Sequence, residues 1–217
     1  GMLEADDMEC EVLDTTYPLE GIISHKVLLK EGSLRVGQTV QAKVDMERRR
    51  AIARAHTATH LLHFALRQVL GPHALQSGSL VNADWLRFDF SHFAAVSDYQ
   101  LDEISNIVNR SILENHSVEA SLTDIQSARQ MGAMALFGEK YGDEVRVMQI
   151  GEFSCELCGG THLNTTAEVG AFVIASEASV GAGLRRIEAY CGLEAIAYLK
   201  RKEDILARAA AALRAKE

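Results

Sequence analysis

His56 and His60 stand four residues apart, and a second pair with the same spacing, Cys158 and His162, lies about a hundred residues downstream. One helical turn brings residues i and i+4 to the same side. The two glycines inside Cys158-Gly159-Gly160-Thr161-His162 permit a turn tight enough to aim a thiol and an imidazole at one centre. Three imidazoles and a sulfur favour Zn²⁺ over Mg²⁺ or Ca²⁺. Such a metal lowers the pKa of a bound water to about 7 or polarises a carbonyl. Four protein donors leave no open position, so either the site expands to five, one ligand is displaced, or the metal is a positioning and structural element. Thr57 follows His56 where a metalloprotease helix would carry its glutamate, which excludes that class. No carboxylate base adjoins the motif, so no protein base is assigned, and where the metal is catalytic the catalytic element is a zinc-activated water. Cys155 and Cys158 also form a CxxC, the spacing of a redox pair or a zinc knuckle. The surrounding pattern lacks the strand-then-helix of a thioredoxin-like site, which leaves Cys155 as an extra or substitute ligand.

These donors need rigid carriers. From Glu47 to Leu70 there is neither Gly nor Pro, and Gly71-Pro72 ends the run, which predicts a long helix. Its buried stripe is Ile52, Ala55, Thr59, Leu62, Leu66 and Val69. His56, His60, His63 and Arg67 form a second stripe at the edge of the core, where His63 can support the metal ligands. His25, His92 and His116 read as surface or core-edge residues. The segment Ser79–Phe90 fits a hairpin around Asn82-Ala83-Asp84. Asp98–His116 is amphipathic with Leu101, Ile104, Ile107, Val108 and Ile112 inward. Val118–Leu122, Glu144–Ile150, Val169–Glu177 and Leu184–Tyr190 read as strands, and Asp124–Met131 as a short helix. Strands and helices do not alternate strictly, so the expected class is α+β, a mixed or antiparallel sheet flanked by helices with a small N-terminal β element. The domain reading is 1–45 as that β element, the end of a β-barrel subdomain, 46–192 as the zinc-containing domain, and 193–217 as a helix leading out of it.

Composition sets outer limits. With 217 residues, 47% apolar and 24% charged, 16 Gly and 2 Pro, the chain is neither disordered nor collagen-like. Its apolar runs are too short to cross a bilayer and no apolar leader is read at the start, so a cytoplasmic protein without membrane contact is expected. Four cysteines then argue for free thiols or a metal rather than a disulfide framework. The net charge is −8, but residues 1–14 alone carry six acids and no Lys or Arg, leaving −2 on the remainder. Local clusters at Arg48–Arg50 with Arg54, and at Arg185-Arg186, can still hold a phosphate backbone. Gly181-Ala182-Gly183 is not a dinucleotide fingerprint, and neither a P-loop nor a GxSxG elbow is present.

Several blocks together closely resemble the editing region of alanyl-tRNA synthetases: Arg54–His63, Leu66–Gly71, Gly78–Asn82, Leu86–Phe90, Gly132–Tyr141, Glu156–His162 and Gly183–Ala189. The resemblance spans about residues 20–195 and occurs in order, which makes it specific. It implies a domain that hydrolyses the ester of serine or glycine wrongly charged on tRNA(Ala), with zinc held by His56, His60, Cys158 and His162. It also implies that Thr59, Gln76 and Ser79 line the amino-acid pocket. The family's ATP- and Mg²⁺-dependent ligase domain is expected outside this chain. A second sieve has a physical reason, because an alanine pocket cannot strongly reject a residue one methyl smaller or one hydroxyl larger. Thr59 is the candidate partner of the serine hydroxyl, and alanine would leave it unpaired at a cost of about 1–3 kcal/mol. Arg54, Arg67, Arg185 and Arg186 are the candidate contacts to acceptor-end phosphates. The competing readings are a zinc-stabilised tRNA-binding module without hydrolysis, a free-standing editing protein, and a redox protein built on Cys155 and Cys158.

Overall fold

A computed structural model describes residues 1–19, 21–134 and 142–213. The elements run β1 (Met2–Ala5), β2 (Met8–Leu19), β3 (Ile22–Gly32), β4 (Gln41–Lys43), α1 (Met46–Leu70), β5 (Gln76–Val81), β6 (Leu86–Ser91), α2 (Asp98–Leu113), β7 (Val118–Asp124), α3 (Ile125–Gln130), β8 (Glu144–Ile150), β9 (Ser154–Leu157), β10 (Phe172–Gly181), β11 (Leu184–Cys191) and α4 (Leu193–Ala212). Residues 135–141, part of one block that carries the resemblance, lie outside the described residues. The chain divides into two compact units, Gly1–Arg49 and Arg50–Glu217. The class is α+β, and among the described residues every strand ladder is antiparallel.

The first unit holds one sheet in the order β3-β2-β1-β4 over a small core of Leu3, Met8 and Cys10. Its acids are partly matched across strands, Glu11 with Lys30 at 2.6 Å and Glu4 with Lys43. Both pairs are solvated, and exposed pairs of this kind add little to stability.

The second unit holds two sheets, β10-β11-β6-β5 and β7-β8-β9. One core cluster joins Leu61, Leu62 and Leu66 of α1 with Phe88 and Phe90 of β6, Ile187 of β11, Ile104 and Val108 of α2, and Met148 and Ile150 of β8. Because α1 takes neighbours from both sheets and from α2, residues 57–63 are buried without interruption. The single stripe expected from periodicity is therefore only part of its buried surface. Leu62 and Leu66 are fully buried, whereas Ile52 and Val69 at the helix ends are only partly so. The strand β9 has no apolar run long enough to declare itself; its order comes from antiparallel pairing with β8. The helix α2 begins at a capping box, with Ser97 accepting from the Gln100 amide and the Gln100 side chain accepting from that of Ser97. The start of α4 is pinned differently. Gly192 has φ +61, and a Cβ there would lie 2.7 Å from Arg54 Cδ. Arg54 in turn donates through Nε to the Glu168 carbonyl at 3.0 Å. Among the described residues no helix is long and apolar enough to cross a membrane.

Candidate metal centre

The middle turns of α1 present His56 and His60 on one side, with ring centroids 5.4 Å apart. The segment after β9 delivers Cys158 and His162 to the same place. Cys158 Sγ lies 3.4 Å from His56 Nε2 and 3.3 Å from His162 Nε2, and one donor atom from each of the four residues falls within 4.8 Å of all the others. Donors around a tetrahedral zinc are about 3.3–3.6 Å apart, given Zn–N of about 2.0–2.1 Å and Zn–S of about 2.3 Å. The two sulfur–nitrogen separations are close to this, and all four donor atoms lie within 4.8 Å of one another. A divalent cation fits this donor set.

Two of the rings are held at the nitrogen they do not aim inward. His60 Nδ1 donates to Glu156 Oε1 at 3.2 Å, and His162 Nδ1 lies 3.2 Å from Thr57 Oγ1, which also accepts from the Leu163 amide at 3.2 Å. His56 has a steric constraint: a Cβ on Gly160 would lie 1.9 Å from His56 Cε1 and 2.2 Å from its Nδ1. The backbone of the ligand loop is fixed from β8, where Arg146 Nη1 donates to the carbonyls of Cys158 at 3.1 Å and Gly160 at 2.6 Å.

The electrostatics prepare the donors. Burial alone would push the Cys158 thiol up, but hydrogen bonds from His162, His56 and His60 outweigh it and bring its pKa to about 3. Burial lowers His162 to about 4, its Cys158 hydrogen bond opposing and the neighbouring imidazoles adding to the fall. His60 goes the other way, to about 10, because the charge of Glu156 and the contact with Cys158 overcome a large burial penalty. Glu156, whose burial favours the neutral acid, is held well below the usual carboxylate range by His60 and His63. The cluster thus offers a thiolate and imidazoles beside a buried carboxylate. Glu156 is the residue that motif reading missed. Its signal was alternation: in an extended segment, residues 154, 156 and 158 share a face. Cys155 falls on the opposite face, against Ala128, Val145, Val147 and Leu157, and does not join the donor set. Burial and the neighbouring Glu156 charge raise its thiol pKa, and all four cysteines are free.

The other sequence candidates are distributed more widely. Gln76 and Ser79 sit on the edge strand β5, three residues apart, which in a regular strand would put them on opposite faces. A bulge between Gln76 and Gly78 corrects this, so that Gln76 pairs with Phe90, Ser79 with Phe88, and Gln76 Nε2 donates to Ser79 Oγ at 3.2 Å. Phe88 also touches the His63 ring, at 5.3 Å between centroids. Thr59 is buried and donates its hydroxyl proton to the Ala55 carbonyl at 2.9 Å, leaving it only acceptor capacity. Arg67 donates to Met134 Sδ at 2.8 Å. Arg185 and Arg186, adjacent on β11, project to opposite faces of the sheet and engage different carboxylates. Arg185 pairs with Glu177 along the Phe90 face, and Arg186 makes a two-pronged pair with Asp89 at 2.7 and 2.8 Å. The structure does not bring them to one surface.

A sequence profile described as the threonyl and alanyl tRNA synthetase second additional domain matches residues 145–188, from β8 through most of β11 and including Glu156, Cys158 and His162. The chain is 51% identical over 213 residues to an alanine–tRNA ligase of Desulforamulus reducens and 51% identical over 215 residues to that of Pelotomaculum thermopropionicum. It is 52% identical over 209 residues to that of Carboxydothermus hydrogenoformans. These matches cover 98%, 99% and 96% of this chain but 24% of each relative, so the chain spans about a quarter of the length of the curated relatives it matches.

Proposed function

We propose that this chain, related over nearly its whole length to a quarter-length segment of alanine–tRNA ligases, hydrolyses serine or glycine wrongly esterified to tRNA(Ala) at a zinc-containing site. The observation that carries the reading is the convergence of His56, His60, Cys158 and His162 within 4.8 Å. When bound there, zinc supplies Lewis acidity, activating a water or polarising the ester carbonyl. The residues of the chain do the positioning. Cys158, as a thiolate, and the three Nε2 atoms hold the ion, while Thr57 and Glu156 hold two of the rings and Gly160 leaves room for the third. Gln76 and Ser79, brought to one strand face by the bulge, line the amino-acid pocket with Thr59. Thr59 Oγ1 can accept from a serine hydroxyl but not donate to one, since its proton serves Ala55. Alanine, lacking the hydroxyl, forfeits that contact.

The acceptor end of tRNA(Ala) is the proposed partner, with Arg54, Arg67, Arg185 and Arg186 as proposed phosphate contacts. For Arg185 and Arg186 this requires exchange of a carboxylate for a phosphate oxygen. Arg186 has the more open side chain, 32% exposed against 14%. A second reading follows from the count of donors: with four protein ligands the metal can be structural, and the chain a tRNA-binding module without turnover. Deacylation of seryl-tRNA(Ala) and alanyl-tRNA(Ala) by the intact chain and by Cys158→Ala separates the two. Hydrolysis that takes the seryl ester, spares the alanyl ester and drops at least tenfold in the mutant supports the hydrolase. Saturable tRNA binding without hydrolysis of either ester leaves the binding module.

A further inference from the structure

We propose that Glu156 is the positioning residue of the metal centre: its buried carboxylate fixes His60 as an Nε2 donor, while His63 and Ser154 hold the carboxylate in place. The inference rests on the metal reading above and concerns how the chain builds that site.

The carboxylate is 3% exposed, and its contacts among the described residues are His60 Nδ1 at 3.2 Å, His63 Nδ1 at 3.2–3.3 Å and Ser154 Oγ at 3.1 Å. No Lys or Arg is among them. A buried carboxylate without a cationic partner is expensive. A divalent ion with one thiolate and three neutral imidazoles carries a net charge of +1, and Glu156 brings the assembly to zero. The geometry adds a tautomer argument. An imidazole whose Nδ1–H is tied to a carboxylate has its Nε2 lone pair free for metal, with its orientation fixed and its basicity raised. His63 is the neighbour of His60 at i+3 on α1, and its ring spends its one hydrogen-bonding nitrogen on the same carboxylate; among the described residues its Nε2 has no partner. The stripe His56, His60, His63 thus divides by role: the first two reach the donor cluster and the third braces the residue that orients the second.

Zinc affinity of the 217-residue chain, measured by competition with a chromophoric chelator, tests this. Glu156→Gln keeps the shape but removes the charge and puts an amide NH₂ against a ring N–H or the serine hydroxyl. Zinc binding is expected to weaken ten- to a hundredfold. The Co²⁺-substituted variant retains its thiolate-to-metal absorption band, showing that the donors are still present. His63→Leu weakens binding less, and adds nothing on top of Glu156→Gln. Wild-type binding with an unchanged constant for Glu156→Gln overturns the inference and leaves the metal reading standing. Failure of the wild type to bind Zn²⁺ or Co²⁺ removes both. If the variants do not fold, the imidazole ¹⁵N spectrum of the zinc-loaded wild type decides. A slowly exchanging His60 Nδ1–H with metal at Nε2 supports the assignment, and metal at His60 Nδ1 overturns it.

Discussion

A single hydrogen atom at position 160 decides whether His56 can face the other donors. A methyl there would sit inside van der Waals contact of the imidazole, 1.9 Å from Cε1, and the ring can escape only by turning away from Cys158. Gly160 does not have a positive φ, so an alanine is tolerated by the backbone and the clash is the whole effect. Gly160→Ala is therefore expected to lower zinc affinity at least tenfold and to cost about 1–3 kcal/mol of folding stability as a small-to-large insertion. Chelator competition and denaturant titration check the two effects separately. The donor set itself was readable from residue types and spacing. The atoms that aim the donors were not, because Thr57, Glu156 and Gly160 contribute through contacts to residues close in space and remote in sequence, such as Thr57 to His162 and Glu156 to His60.

At the level of elements, the long helix, the β5–β6 hairpin and β8 follow from local pattern, while β9 and the β5 bulge do not. A four-residue strand carries too little periodicity to distinguish it from a loop, and a bulge is a choice of register that depends on the partner strand. The bulge is nevertheless what places Gln76 and Ser79 together. Deleting Ser77 removes the extra residue and leaves Gln76 and Ser79 two apart on a regular strand, still on one face. The expected outcome is that selectivity between seryl and alanyl esters survives the deletion with zinc binding unchanged, since none of the four donors lies on β5. Adjacent-residue logic fails on strands in the same way. Arg185 and Arg186 look like one basic cluster in the sequence, yet the pleat sends them to opposite sides, and Cys155 and Cys158 are parted by the same geometry.

For the second unit as a folded body, the paired groups at the centre give stability a definite pH profile. In the metal-free chain Glu156 titrates below its unfolded value, so its contribution is present above the usual carboxylate range and is lost as pH falls through it. His60 titrates above its unfolded value, so its contribution is complete below about pH 6.5 and is lost as pH rises toward about 10. Cys158 and His162, both held below their unfolded values, add stability as pH rises to about 6.5, and from there to about pH 9 the Cys158 gain offsets the His60 loss, so the metal-free melting temperature is expected to climb to about pH 6.5, stay nearly level, and fall above about pH 9. Saturating zinc raises the melting temperature, and the increment grows from pH 6 to pH 8 because binding requires the proton on His60 Nε2 to leave. Calorimetry with and without chelator over that range checks both trends, and an increment that shrinks with pH contradicts them.

The junction into α4 has a mechanical meaning. Glycine ahead of a helix is ordinarily a point of slack. Gly192 instead occupies a backbone conformation closed to other residues and is pressed against the aliphatic stem of Arg54, whose guanidinium is anchored on the Glu168 carbonyl. A twist at this junction therefore meets Arg54 of α1, the helix that also carries His56 and His60, instead of passing into a loose swivel.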